Sequence, residues 1–180
     1  MDERALKRRL FLGLLCFLLL TAYFILGAQY RNLHTALPAV VFSRTDHSQY
    51  WTGSLDLRGS LAFKLLAVDR SFSGTVSIPG YPETSQERFT GSIYLNSGAN
   101  HGIYQGPLVY FREKTSDAFF LGKVLTTKRL DSFSMSLTAP GTMRPLDAEG
   151  SYALDYILIA PCTSLADAVA WAEAQGLLEP

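Results

Sequence analysis

The sequence predicts a mainly β domain, an antiparallel β-sandwich or flattened barrel of about eight strands with one C-terminal α-helix, preceded by one N-terminal transmembrane helix. Three observations carry that prediction. An uncharged apolar run of about nineteen residues stands near the N-terminus, apolar and polar residues alternate with a period of two through the middle of the chain, and helical spacing returns only after Pro161.

The apolar run, Leu10 to Ala28, reads LFLGLLCFLLLTAYFILGA. At ~1.5 Å per residue it is long enough to cross a ~30 Å hydrocarbon core. Arg4, Lys7, Arg8 and Arg9 stand immediately before it. A positive flank stays on the cytoplasmic side, so the rest of the chain is expected outside. A cleaved signal peptide is the rival reading, but the core from Leu10 to Leu26 exceeds the ~7 to 15 residues of such a segment, and cleavage after Ala28 would put Leu26 where a small residue is needed. A lipobox fails as well, because Leu15 precedes Cys16. Tyr23, Tyr30 and Arg31 suit the outer interface. The expected organisation is therefore a cytoplasmic tail over 1–9, an anchor over 10–28, a stalk over 29–49 and an extracytoplasmic β-domain over 50–180. The stalk contains Pro38 and one apolar group, Val40-Val41-Phe42, expected as a short strand packing on the domain.

Charge excludes one class of partner. Without the four basic residues of the tail, and without Asp2 and Glu3, twelve basic residues face fourteen acidic ones, and the longest remaining basic run is Lys128-Arg129. No surface of clustered cations for nucleic acid is expected. The two cysteines, Cys16 in the apolar run and Cys162 near the C-terminus, do not pair within one molecule if the first lies in lipid. An exported domain without a disulfide, in a chain with no Asn-x-Ser/Thr sequon, points to a bacterial envelope.

From Tyr50 the period of two is regular. Phe72, Gly74, Val76 and Ile78 alternate with Ser73, Thr75 and Ser77; Phe89, Gly91, Ile93 and Leu95 alternate with Thr90, Ser92 and Tyr94; Phe133, Met135 and Leu137 alternate with Ser132, Ser134 and Ser136. These are half-buried strands, apolar side in. Further strands are expected over Trp51 to Leu57, Leu61 to Val68, Ile103 to Phe111, Ala118 to Leu125 and Ser151 to Ile159, the third and fourth being apolar on both faces and so placed centrally. Arg58-Gly59, Pro79-Gly80-Tyr81-Pro82, Asn96 to Asn100 and Pro140-Gly141 are among the turn signals.

A short pattern recurs in Thr52-Gly53-Ser54-Leu55, Ser73-Gly74-Thr75-Val76 and Thr90-Gly91-Ser92-Ile93, at uneven intervals of 21 and 17 residues. It is a reused strand module rather than a solenoid repeat. Glycine early in a strand fits a bulge or a close approach, with a large neighbour filling the vacated space. A phosphate loop is excluded because no helix follows these glycines.

After Pro161, Leu165, Ala168, Val169 and Ala172 fall at helical spacing, Ser164 with Asp167 resembles a capping box, and Gly176 offers a stop. A helix over 164–175 is expected to cover an open side or end of the sheet and hide an edge.

The chemistry is sparse. His34, His47 and His101 lack metal-ligand spacing, no Gly-x-Ser-x-Gly elbow is present, and the carboxylate pairs Glu83 with Glu87 and Asp147 with Glu149 fall in turns. Neither a catalytic residue, a metal site nor a cofactor is expected. Exposed aromatics are the remaining candidates. A hairpin symmetric about Ala99 would set Tyr94 across from Tyr104 on the wet face, with Tyr81 extending a platform for a sugar or peptide.

The N-terminal anchor, the repeated Phe-Ser/Thr-Gly-x-Val/Ile strands and the Ile159-Ala160-Pro161 lead into an Ala-rich helix together resemble small membrane-anchored proteins of Gram-positive bacteria with an extracytoplasmic β-domain. The resemblance implies a location and an architecture, and supplies no site. The expected role is a non-enzymatic binding or assembly module of the cell envelope. Its partners would be the bilayer, through residues 10–28, and an envelope protein or cell-wall glycan. A carbohydrate-binding domain using Tyr81, Tyr94 and Tyr104 is the alternative, and a hydrolase whose residues converge only in three dimensions is the third.

Overall fold

The computed structural model describes residues 3–64, 69–86, 89–97, 103–113, 117–127, 129–142, 144–146 and 152–178. Within them the period-two stretches become nine strands: β1 Ala28–Ser43, β2 Tyr50–Lys64, β3 Arg70–Ser77, β4 Phe89–Ser97, β5 Ile103–Arg112, β6 Ala118–Thr127, β7 Phe133–Leu137, β8 Arg144–Pro145 and β9 Tyr156–Ala160. All pairings are antiparallel. Strands β1 to β7 pair in chain order, β7 pairs with β9, and β9 returns to β1, which closes an eight-stranded barrel. The two-residue β8 resumes the line of β7 along β6 after a turn, pairing with Phe119 and Phe120. Closure decides between the two expected forms in favour of the barrel, and it removes the sheet edges over the paired length.

The barrel has a tightly packed interior. Phe72, Val76, Ile78, Phe89, Ile93 and Leu95 are all buried, while Ser73 and Thr75 are exposed, as the alternation requires. Ser77 and Thr90 are half-buried, and Ser92, beside Val109 of β5, departs from the pattern by being buried.

Three expectations about the strands need correction. Residues 29–49 are not a stalk: β1 runs unbroken to Ser43 and a turn follows, because Leu33, Leu37, Ala39 and Val41 alternate at period two and face the core. Pro38 is tolerated there because β9 pairs with β1 only over Val40–Ser43, and beyond that ladder the Pro38 carbonyl accepts the Cys162 N–H at 2.8 Å. Arg58-Gly59 is not a turn either, since β2 continues through it. And β5 and β6, expected to be central, hold no such place in a closed barrel whose eight strands each have two neighbours. Of their outer apolar residues, Phe120 is covered by Tyr152 of the segment after β7, with ring centroids 4.5 Å apart, while Pro107 and Leu125 stay partly exposed.

The misread Gly59 explains the repeated glycines. Gly59, Gly74 and Gly91 are successive register partners across β2, β3 and β4. A methyl on Gly59 would meet the Gly74 Cα at 2.7 Å, so the backbones approach too closely there for any side chain. Tyr110 of β5, the partner of Gly91, occupies the vacated space and donates its phenol to the Val76 carbonyl at 2.6 Å. At the same end of the barrel Tyr81 donates to the Thr138 carbonyl at 2.6 Å and seals the interior.

Burial pushes both phenols, Tyr81 and Tyr110, well above the ordinary tyrosine value of 10.0. A folded pKa above the unfolded one means that the unfolded chain releases protons first, so stability is full below pH 10 and falls as pH rises beyond it. The expected result of an alkaline titration is that these two phenols ionise only as the barrel unfolds, with Tyr110→Phe showing a shallower loss above pH 10. It should also be less stable at pH 7 by about 1–3 kcal/mol, because the Val76 carbonyl loses its partner.

Helix α2, Leu165–Ala174, begins and ends as expected. The Ser164 hydroxyl accepts the Asp167 N–H, and at the other end Leu177 N–H bonds to Ala172 O and Gly176 N–H to Glu173 O, with Gly176 at φ +66°. It hides no edge. It lies on the outer face of the closed barrel, where Ala168 and Ala172 pack against Val40 and Phe42 of β1 and Ile157 and Ile159 of β9. Truncation after Ala160 would uncover those four side chains, and the melting temperature of the purified protein is expected to fall by at least about 5 °C. An unchanged melt would show that the helix contributes nothing to the barrel.

The N-terminal helix α1, Glu3–Leu26, takes up most of the expected anchor, and at Gly27 it gives way directly to β1. Its side chains are described from Arg9 to Tyr23, about 22 Å of helix at ~1.5 Å per residue. Among the described residues no helix is long and apolar enough to cross a membrane.

Candidate functional site

The three tyrosines expected to form a platform are not brought together. Tyr81 is buried at one end of the barrel. Tyr104 is buried at the other, where the Arg70 guanidinium carbon lies 5.2 Å from its ring centre. Tyr94 stands alone of the three on the outer surface, 48% exposed. The hairpin register is the cause: Ser97, not Tyr94, is the partner of Tyr104, so the two tyrosines point to opposite faces.

The other candidates stay apart too. His34 and His47 are exposed, and His47 packs edge-on against Phe42 at 5.5 Å. Asp46 caps the turn after β1, and hydrogen bonds from Ser48 and Gln49 hold its carboxyl below the ordinary value. Among the described residues no group of three His, Cys, Asp or Glu side chains is placed to hold a metal. His101, Glu87, Asp147 and Glu149 lie outside the described residues.

What the fold does build is a groove on the outside of the barrel, of about 450 Å³, within the range of ligand sites. Register assembles it from four strands. Asn96 of β4 pairs with Gln105 of β5, Gln105 with Leu125 of β6, and Leu125 with Ser134 of β7. A second row, Pro107, Lys123 and Ser136, lies alongside it. All of these line the groove, with Phe120 near one end. The next register partners of Ser134 and Ser136 are Ile159 and Ile157, which α2 covers. The trough is thus the part of the outer face left between α2 and the segment that packs on Phe120.

Gly106 also lines the groove, and no side chain fits there, because a methyl would fall on the carbonyl oxygen of Tyr94. The Ser134 hydroxyl is buried with no hydrogen-bond partner among the described residues, and the Ser136 hydroxyl accepts from Arg44 Nη2 at 2.8 Å. Arg44 also donates to the carbonyl of Leu177 past the end of α2, which fixes the guanidinium beside the groove. Tyr94 borders the trough, since the Ile93–Leu108 and Asn96–Gln105 pairs on either side place it next to Pro107.

No family model matches the chain, and neither a curated protein nor a solved structure matches it. The groove therefore rests on geometry alone. Sequence reasoning missed Asn96, Gln105, Lys123 and Ser134. The available signal was Lys123, the one charge in an otherwise apolar and hydroxyl-bearing strand from Ala118 to Thr127.

Proposed function

We propose that this chain is a membrane-anchored binding module of the cell envelope, with α1 in the bilayer, the barrel held outside the cytoplasm, and ligands engaged on the barrel's outer face without catalysis. The observation that carries the reading is the exposure of α1. Every described side chain from Leu10 to Leu20 is exposed, with Leu10, Phe11 and Phe17 each at 66%. A helix that shows leucine and phenylalanine on all sides far exceeds the apolar patches that water tolerates, and hydrocarbon is the solvent that fits it. The uncharged run continues in sequence to Leu26, and the basic residues before it favour the cytoplasm for the N-terminus. Binding is assigned to the outside because the barrel interior is occupied by its own side chains, Phe72, Tyr81, Tyr110 and Phe133 among them. Alkaline carbonate washing of membranes tests the anchor: the full chain is expected to stay in the pellet and a chain starting at Gln29 to be released. Release of the full chain would overturn it.

A carbohydrate-binding role is the second reading, and the outer groove with Tyr94 at its border favours it over an assembly contact.

A further inference from the structure

We propose that the outer groove binds an acidic polysaccharide, with Lys123 meeting its carboxylates, Asn96, Gln105 and Ser134 meeting its hydroxyls, and Tyr94 flanking a sugar ring. The inference rests on the reading that the barrel binds through its outer face, and names the ligand class of that site.

Charge is the first ground. Lys123 lines the groove, Arg44 reaches it through Ser136, and no Asp or Glu is among the described lining residues. An anion is favoured there, and two cations are too few for the many phosphates of a nucleic acid strand.

Hydrogen bonding is the second. Two amides stand side by side as register partners, Asn96 and Gln105, each offering both a donor and an acceptor, which is what a hydroxyl needs. Ser134 is 3% exposed, lines the groove and, among the described residues, has no partner for its hydroxyl. Buried polar groups are almost always satisfied, so this one is placed for a group that the chain does not itself supply.

Shape is the third ground. Proline and leucine side chains, Pro107 and Leu125, form the apolar part of the lining, and the half-exposed ring of Tyr94 stands at the border. A sugar presents C–H faces to such surfaces and hydroxyls to their rim. A peptide would do better by adding a strand, but β5 lies between β4 and β6, its β4 ladder interrupted only at Gly106 and Pro107, and β6 lies between β5 and β7, so no strand edge is open to a peptide along the groove.

The test uses the full chain in detergent, with polygalacturonate as the acidic polysaccharide, dextran as a neutral one and polyphosphate as charge without sugar. Polygalacturonate is expected to bind and to be released by salt, dextran and polyphosphate to bind at least tenfold more weakly. Lys123→Gln and Tyr94→Ala, both on the exposed face, should each weaken polygalacturonate at least fivefold with unchanged melting temperatures. Equal binding of dextran would overturn the acidic preference, equal binding of polyphosphate would overturn the sugar, and wild-type affinity in Lys123→Gln would overturn the site. Absence of binding to polygalacturonate would overturn the proposal altogether. The carbonate wash reads the anchor without any ligand, so an anchored protein that binds none of the three polymers loses the groove proposal and keeps its membrane reading.

Discussion

Gly106→Ala is expected to destabilise the barrel by more than about 4 kcal/mol, enough to leave little folded protein in a domain whose whole margin is of order 5–15 kcal/mol. The added methyl would coincide with the Tyr94 carbonyl oxygen and lie 2.6 Å from its carbon. Those are backbone atoms of the neighbouring strand, so no rotamer relieves the clash and β4 has to part from β5. Gly53→Ala supplies the control. Its methyl would approach only the Pro79 ring, at 3.2 Å, and a shift of a few tenths of an ångström relieves that contact. The expected change is within about 1 kcal/mol, since the strain is offset by the lower entropy of the unfolded chain. Thermal unfolding of the two variants side by side checks this. Equal melts would mean that β4 and β5 are not packed at Gly106 as described.

The second large effect is in the core. Phe72 is fully buried between its register partners Leu61 and Ile93, both buried as well, and Phe72→Ala is expected to cost about 3–5 kcal/mol. Its neighbour Ser73 is exposed, and Ser73→Ala should change stability by no more than about 0.5 kcal/mol. Denaturant midpoints give both numbers. A reversed order would mean that β3 presents its other face to the interior, because a slip of one residue exchanges the faces of a strand.

The strands were legible where the alternation was clean, and β3, β4 and β7 lie where Phe72 to Ile78, Phe89 to Leu95 and Phe133 to Leu137 placed them. Two local signals misled. Glycine normally marks a turn, and Gly59 lies mid-strand because Gly74 sits opposite it, a fact of pairing that neither residue announces. Proline normally ends a strand, and Pro38 hid β1 because its tolerance depends on where β9 stops. The tyrosine platform failed on one non-local quantity. A hairpin centred on Ala99 would have paired Tyr94 with Tyr104, whereas the register that pairs Ser97 with Tyr104 differs by an odd number of residues and turns Tyr104 inward. Tyr94 kept its outward face because the alternation of β4 alone determines it. The groove was out of reach for the same reason: it exists only where α2 and the segment after β7 leave the outer face bare, and both come from chain far away in sequence.

The central claim is that α1 holds the barrel on the outer side of a membrane. It is tested most directly by fusing after Pro180 a pair of reporters, one active only outside the cytoplasm and one only inside, and determining the N-terminal residue of the same product by mass spectrometry. Activity of the external reporter and an N-terminus at or near Met1 are expected. Activity of the cytoplasmic reporter would contradict the orientation, and an N-terminus at Gln29 would contradict the anchor, leaving a secreted barrel.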